Sequence, residues 1–228
     1  MVLLEGQFLC GGSLITNCFV LTAAHCQSEL KTYATLGEYF RGFDVGLERK
    51  IPVDLQIPHP DYNRDKHKND IALFRLSRPV EYTMHIRPIC LPTNYDALDV
   101  VLNLNVTGWG RTNFNATTSS ILKTATVLVH DRSTCRNLGN IDESQVCVGP
   151  ADGNPCNGDS GGPLTSLVNF QGSGTVTVQI GLVSFGILGC QSLSVHTHVY
   201  HYMAWISEMV RTHKTDINEN KDYSFENI

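Results

Sequence analysis

Short apolar runs, separated by polar and turn-forming residues, recur along this chain. Many of them contain Val, Ile, Thr or Phe, and Gly, Asn, Asp or Pro stand between them, as is typical of strands joined by turns. The runs lie at residues 14–15, 19–21, 71–74, 121–129, 176–183 and 195–199. This pattern predicts an all-β protein made of antiparallel sandwiches or barrels.

One segment near the end of the chain has helical spacing instead. Its apolar residues recur every three or four positions, at Tyr202, Trp205, Ile206, Met209 and Val210. We therefore predict a helix over about 201–212. The polar stretch 213–228 is predicted to be a disordered tail, and 79–99 is interpreted as a connector between two halves.

Composition excludes several classes of function. The 228 residues include 17 Lys+Arg and 22 Asp+Glu, and the formal net charge of -5 gives no support for binding to nucleic acid. No apolar run approaches the roughly 18–20 residues that cross a bilayer. We therefore expect neither a nucleic-acid partner nor a membrane.

The eight cysteines indicate an oxidising compartment. They are scattered rather than grouped in C-x-x-C pairs, which favours disulfides over a zinc ribbon. Two glycosylation sequons begin at Asn105 and Asn115, and the second is favoured because the first runs into a strand-like stretch. These features predict a secreted, extracellular glycoprotein. Residues 1–9 contain no secretory signal, so we expect the sequence to be incomplete at its start.

The segment 153–164, GNPCNGDSGGPL, holds one serine in an unusually constrained loop. A free hydroxyl is a weak nucleophile, so Ser160 needs a histidine to take its proton and an acid to orient that histidine. His25, in LTAAHC, stands among small apolar residues. Asp70, in NDIALFRL, precedes an apolar run where a partly buried carboxylate can accept a bond from an imidazole.

Six motifs follow one another in a familiar order: CGGSLI, LTAAHC, NDIAL, GWG, CNGDSGGPL and SFG. In this order they resemble the chymotrypsin/trypsin family of serine endopeptidases, over about residues 3–213. LGEY and VYHYMAWI resemble arthropod secreted members. The resemblance implies an all-β fold of two six-stranded antiparallel β-barrels, at about 1–95 and 100–200, with a C-terminal helix. Each motif alone fits a turn, a core histidine or a capping acid; their joint order favours the enzyme.

The resemblance also assigns roles to residues. His25 would be the general base and then the general acid, Asp70 would hold its tautomer, and Ser160 would attack the scissile carbonyl. The backbone N–H groups of Gly158 and Ser160 would form the oxyanion hole, where losing one donor typically costs about 3 kcal/mol. The reaction needs no cofactor and no metal.

By the same resemblance, six cysteines would form the disulfides Cys10–Cys26, Cys135–Cys147 and Cys156–Cys190. Cys18 and Cys90 remain. In many relatives the second bonds to a propeptide, whereas Cys18 is an addition to the usual pattern. They would either pair with each other or leave Cys90 without its partner.

The substrate pocket is also inferred from the family. Its floor would be Asn154, where trypsin-like members carry an Asp that pairs with Arg or Lys. An uncharged floor leaves a buried cation uncompensated, so we expect neutral residues to be preferred. The walls would be formed by Ser184, Phe185, Gly186 and Ser194, the last narrowing the base.

Activation in this family depends on the acid before the catalytic serine, here Asp159. Cleavage of the zymogen frees an Ile or Val ammonium that pairs with this acid. The nine residues before Cys10 do not contain the sequence IVGG. An unpaired buried carboxylate is costly, so we expect Asp159 to turn toward solvent or toward other donors. We then expect the oxyanion hole to be poorly formed. We also expect the strand that completes the contact of the first barrel with the second half to be lacking.

Two groups of residues resemble metal sites, and no metal is assigned to either. Glu38 and Glu48 resemble the calcium loop of some relatives, but a solvated acidic loop fits equally well. His196, His198 and His201 fall on the last strand and the start of the helix.

Two functions follow. The first is a monomeric secreted serine endopeptidase that acts on proteins or peptides and is controlled by an activating protease and by protein inhibitors. The second is a catalytically silent, zymogen-locked homologue that binds or regulates. A plain disulfide-bonded adhesion module would leave His25, Asp70 and Ser160 without a purpose.

Overall fold

The fold is two closed, six-stranded antiparallel barrels followed by one α-helix. It was obtained as a computed structural model that describes residues 1–6, 9–43, 46–93, 102–111, 117–152, 158–170, 174–186 and 192–214. The predicted fold class is confirmed. The exact domain boundaries stay a prediction, and most of the expected tail, from residue 215 onward, lies outside the described residues.

The first barrel closes in the order β1-β2-β3-β6-β5-β4 and the second in the order β10-β11-β12-β9-β8-β7. Strand β1 pairs with both β2 and β4, which closes the first barrel. The strands of the first barrel are β1 Val2–Glu5, β2 Leu9–Leu14, β3 Phe19–Thr22, β4 Tyr33–Leu36, β5 Arg49–Pro58 and β6 Ala72–Leu76. Those of the second are β7 Asn103–Gly108, β8 Lys123–His130, β9 Gln145–Pro150, β10 Pro163–Phe170, β11 Gly174–Gly186 and β12 Ser194–His198.

Strands β3 and β6 lie between two cores, which explains the apolar runs 19–21 and 71–74. Val20 and Phe74 belong to the cluster inside the first barrel, whereas Phe19, Leu21 and Leu73 belong to a second cluster outside it. Because successive side chains of a strand point to opposite faces, the part of a strand that lies between two cores is apolar at consecutive positions. Thr22 at the end of β3 and Arg75 in β6 lie outside these runs.

The helix α1, Met203–Thr212, seals the seam between the barrels. It follows a 3-10 turn, Val199–Tyr202. Its Ile206 and Val210 pack with Leu182 of the second barrel and with β3 of the first. Burying each such aliphatic side chain contributes about 1.5–3 kcal/mol. Among the described residues, no helix combines the length and apolar character that crossing a bilayer requires.

Two of the expected disulfides are present. Cys10–Cys26 ties β2 to the turn after β3, and Cys135–Cys147 ties the 3-10 turn Arg132–Leu138 to β9. Cys18 and Cys90 are free thiols, the first buried and the second half-buried, so the two do not pair with each other. The third expected disulfide, Cys156–Cys190, lies outside the described residues.

The loop between β4 and β5 brings acidic side chains together. Burial raises the pKa of Glu38, and the negative charge of Glu48 raises it further. The Glu38 Oε1 atom is buried, and among the described residues it accepts no hydrogen bond. A hard cation would satisfy such an oxygen, and protonation would do so as well. Burial and the charge of Glu48 therefore destabilise the ionised form of Glu38 relative to its protonated form.

We predict that Glu38→Gln raises the melting temperature at pH 7 in metal-free buffer. A raised folded pKa means that the contribution of Glu38 to stability is complete below the ordinary glutamate pKa of about 4.3 and is lost as the pH rises through the folded pKa. The advantage of the variant should therefore disappear near pH 4. Thermal unfolding across this pH range measures it, with the exposed Glu29→Gln as control. If Glu38→Gln is instead less stable than the wild type at pH 7 with calcium, and not without it, Glu38 belongs to a calcium site.

Candidate active site

A strained turn places Asp70 two residues ahead of β6. Asn69 has φ of 53°, in the left-handed region that asparagine tolerates better than most residues. Its side chain donates to the carbonyl of Asp61 at 2.9 Å and accepts from the Tyr202 hydroxyl at 2.8 Å. These two bonds stabilise the turn, and they fix the direction in which Asp70 leaves it.

His25 lies on a single 3-10 turn, Ala24–Cys26, which the disulfide to Cys10 anchors to β2. Its Nδ1 lies 2.7 Å from Asp70 Oδ2, and its backbone N–H donates to Asp70 Oδ1 at 2.9 Å. An ionised carboxylate only accepts, so Nδ1 carries the proton and Nε2 keeps a free lone pair. The imidazole is thus held in the tautomer that a general base requires.

Asp70 is nearly completely buried, with 1% of its surface exposed. Burial alone would raise its pKa, but hydrogen bonds from the His25 ring, the Ser184 hydroxyl and the His25 backbone outweigh burial and hold the pKa of Asp70 below its ordinary value. The Ser184 Oγ donates to Asp70 Oδ2 at 2.5 Å. The carboxylate is therefore ionised beside the half-buried imidazole.

The loop that carries Ser160 rests against the first barrel. Gly11 of β2 donates to the Ser160 carbonyl at 2.7 Å, and Gly161 donates to Val183 of β11 at 2.8 Å. Gly161 has φ of 73°, and a Cβ there would collide with the Thr22 hydroxyl. The backbone of Ser160 is thereby docked on the strands next to His25. Within the described part of the chain, however, the Ser160 hydroxyl makes no hydrogen bond to His25.

The predicted oxyanion-hole donors are the backbone N–H groups of Gly158 and Ser160. Gly158 has φ of 102°, which favours glycine, and a Cβ there would lie 3.0 Å from the Gly110 Cα. Within the described residues, neither the Gly158 nor the Ser160 N–H donates to a protein acceptor. Backbone donors without an internal acceptor are uncommon. Both are thus available for an external oxygen.

Asp159 has turned inward. It is 8% exposed, and its carboxylate accepts from the Gly110 backbone N–H at 2.7 Å. A Cβ on Gly108 or Gly110 would collide with this carboxylate, which explains both glycines of the GWG motif. Of the two outcomes expected for Asp159, it has found another donor and has not turned to solvent.

The proposed pocket walls divide into two groups. The Ser184 hydroxyl points to Asp70, whereas Phe185 is stacked on His67, with ring centroids 4.3 Å apart and planes 19° apart. Gly186 is exposed and pairs with Ser194, and a Cβ on Gly186 would lie 2.9 Å from the Ser194 Cβ. A side chain at position 186 would therefore collide with Ser194.

Several predicted site residues lie outside the described residues, namely Asn154, Asn115 and the Cys156–Cys190 pair. The nearest described acid to the pocket floor in sequence, Asp152, is exposed and accepts from the Thr126 N–H at 2.5 Å. The other sequon residue, Asn105, is half-buried on β7.

Two contacts to Asp70 escaped sequence reasoning. The sequence predicts Ser184 only as a pocket wall, and it predicts no role for Thr197 of β12, which donates to the Asp70 carbonyl at 2.8 Å. The serine of the SFG motif was a usable signal for the first. Nothing in the sequence around Thr197 distinguishes it from other strand threonines.

Comparison with known proteins places the chain in a family. The family described as Trypsin matches residues 1–206. The chain is 33% identical to "Serine protease grass" of Drosophila melanogaster, over 90% of this chain and 60% of the relative. It is 35% identical to "Phenoloxidase-activating factor 1" of Holotrichia diomphalia, over 90% of this chain and 62% of the relative. The chain thus spans about three fifths of the length of these relatives. With this coverage and with the barrels described above, the chain belongs to the trypsin family of serine proteases.

Proposed function

We propose that this chain is a secreted serine endopeptidase that hydrolyses peptide bonds through an acyl-enzyme. The observation that carries the proposal is the buried Asp70 carboxylate bonded to both the ring and the backbone of His25. Burying a charge is unfavourable, so a buried carboxylate that fixes one imidazole tautomer indicates a catalytic site. The backbone of Ser160 is docked beside this pair.

The mechanism follows from these positions. Nε2 of His25 accepts the proton of the Ser160 hydroxyl as the oxygen attacks the substrate carbonyl, and Asp70 stabilises the resulting imidazolium. The N–H groups of Gly158 and Ser160 donate to the developing oxyanion. The imidazolium then protonates the leaving amine. Water repeats the sequence on the acyl-enzyme, and no cofactor takes part.

The substrate preference is proposed to be for neutral side chains. Asn154 offers no charge at the expected pocket floor. The carboxylate of Asp152 is engaged by Thr126, which leaves it poorly suited to pair with a substrate cation.

Regulation is proposed to follow the family. Asp159 would pair with the ammonium of an N-terminus freed by an activating protease, and protein inhibitors would occupy the same cleft as substrates. The buried position of its carboxylate beside Gly110 suits such a pairing.

A second candidate is the catalytically silent, zymogen-locked homologue. One observation favours it, namely that the described contacts include no hydrogen bond between the Ser160 hydroxyl and His25. The intact His25–Asp70 pair favours the enzyme, because a binding protein has no need of a fixed tautomer.

We predict that a fluorophosphonate probe labels the processed protein and that Ser160→Ala abolishes labelling. The reason is that only an activated hydroxyl attacks the probe. Ser166→Ala, a half-buried serine on β10, serves as the matched control and should label normally. Absence of labelling in a correctly folded, processed wild type would support the silent homologue instead.

We predict that Asp70→Asn lowers kcat about ten-thousand-fold by losing the tautomer of His25. It should also lower the melting temperature at neutral pH. Because the folded pKa of Asp70 is depressed, its contribution to stability is present above the ordinary pKa of about 4 and is lost as the pH falls through the folded pKa. Thermal unfolding against pH measures the difference, which should shrink in acid. A difference that is constant with pH would contradict this account of Asp70.

We predict that matched peptides with Ala, Val or Leu before the scissile bond are cleaved with higher kcat/KM than peptides with Arg or Lys. An uncompensated cation in the pocket is the physical reason. In the Asn154→Asp variant the order should move toward Arg and Lys. A wild type that prefers Arg would disprove the proposed preference without bearing on the catalytic proposal.

A further inference from the structure

Ser184 is the extra residue of a β-bulge. Along the ladder between β11 and β12, Val183 lies opposite His196 and Phe185 lies opposite Val195, so Ser184 has no cross-strand partner. A bulged residue is left unpaired in the ladder, and the strand bends there and re-aims its side chains. The backbone N–H of Ser184 therefore needs an acceptor from outside the ladder.

The side chain of His196 supplies that acceptor. Its Nδ1 accepts from the Ser184 N–H at 3.2 Å, and its Nε2 lies 2.8 Å from the Ser194 hydroxyl oxygen. Since Nδ1 accepts, the proton sits on Nε2 and is donated to Ser194. Both nitrogens are used, which fixes the rotation of the ring.

His196 is a neutral group. It is 1% exposed, and burial lowers its pKa to about 3. At neutral pH the Nδ1 lone pair therefore stays available as an acceptor. A charged imidazole would carry a proton at Nδ1 and could not accept from Ser184.

The bulge that His196 holds is the one that reaches Asp70. Ser184 projects its hydroxyl to Asp70 Oδ2 at 2.5 Å, and the neighbour of His196, Thr197, donates to the Asp70 carbonyl at 2.8 Å. Adjacent residues of β12 thus act on the side chain and the backbone of the same aspartate. That aspartate belongs to the other barrel.

We infer that His196 is a positioning residue for Asp70. Its neutral ring accepts the orphan N–H of the bulge, so that the Ser184 hydroxyl points at the carboxylate that orients His25. The bond to Ser194 links this arrangement to the predicted pocket wall. The inference rests on the proposed function, since the value of orienting Asp70 lies in the chemistry of His25. A histidine that merely fills the core would act on stability and not on Asp70.

The test compares three variants in the processed protein. His196→Phe keeps a ring but removes both nitrogens, whereas His196→Asn keeps an acceptor two bonds from Cβ, where Nδ1 stands. Ser184→Ala removes the hydroxyl itself. His198→Phe is the matched control, because it changes a buried histidine of the same strand whose ring lies 3.3 Å from the Glu143 carbonyl oxygen.

We expect His196→Phe to lower kcat about tenfold and to change KM less than twofold. The expected loss in kcat corresponds to losing one hydrogen bond to a charged group, the bond from the Ser184 hydroxyl to Asp70. His196→Asn should recover most of this loss. Combining His196→Phe with Ser184→Ala should add no further loss to Ser184→Ala alone, because both act through one bond. Additive losses, or equal losses for Phe and Asn, would overturn the inference.

A second readout does not require activity. A proton held between His25 Nδ1 and Asp70 Oδ2, which lie 2.7 Å apart, should resonate at low field in an NMR spectrum. We expect this signal to move or broaden in His196→Phe but not in His198→Phe. An unchanged signal in His196→Phe would refute the positioning role. If the wild type neither hydrolyses peptides nor reacts with the probe, the proposed function fails, while this signal still decides whether His196 positions Asp70.

Discussion

The structure depends on keeping one carboxylate charged where water does not reach. Asp70 accepts from the ring and the backbone of His25 and from the hydroxyl of Ser184. An isolated buried charge would cost several kcal/mol, and its pKa would rise until it became neutral. The pKa of Asp70 lies below its ordinary value because these donors outweigh burial.

The donors come from both barrels. The His25 turn follows β3, whereas Ser184 and Thr197 belong to β11 and β12 of the second barrel. The seam between the barrels is apolar and is sealed by α1. A packed apolar seam holds these polar partners in position better than separate loops would. The contacts to Asp70 therefore depend on packing between the barrels.

The apolar runs predict much of the β-structure, and the packing of the core explains why. The runs at 19–21 and 71–74 stand out because β3 and β6 are buried on both faces. By contrast, β5 spans Arg49–Pro58 with two prolines and half-exposed residues, so neither alternation nor apolarity marks it. The helix was found because its apolar spacing is undisturbed.

The residues of the proposed triad could be named from the order of the motifs, but the contacts that support them could not. The bond between Ser184 and His196 arises from a bulge, and the register of a ladder is a property of two strands together. Likewise, the inward turn of Asp159 depends on the small size of Gly108 and Gly110, which matters only once the loops meet. Neither contact can therefore be predicted from the local sequence.

The split origin of these donors has a consequence for the chain during its own synthesis. The first half of the chain emerges with Asp70 and with both His25 donors, but without Ser184 and Thr197, which the second barrel contributes. The full set of contacts to Asp70 therefore forms only after β11 and β12 have been synthesised and have docked on the first barrel. Under the proposed function, the order of the strands along the chain delays activity until the fold is complete.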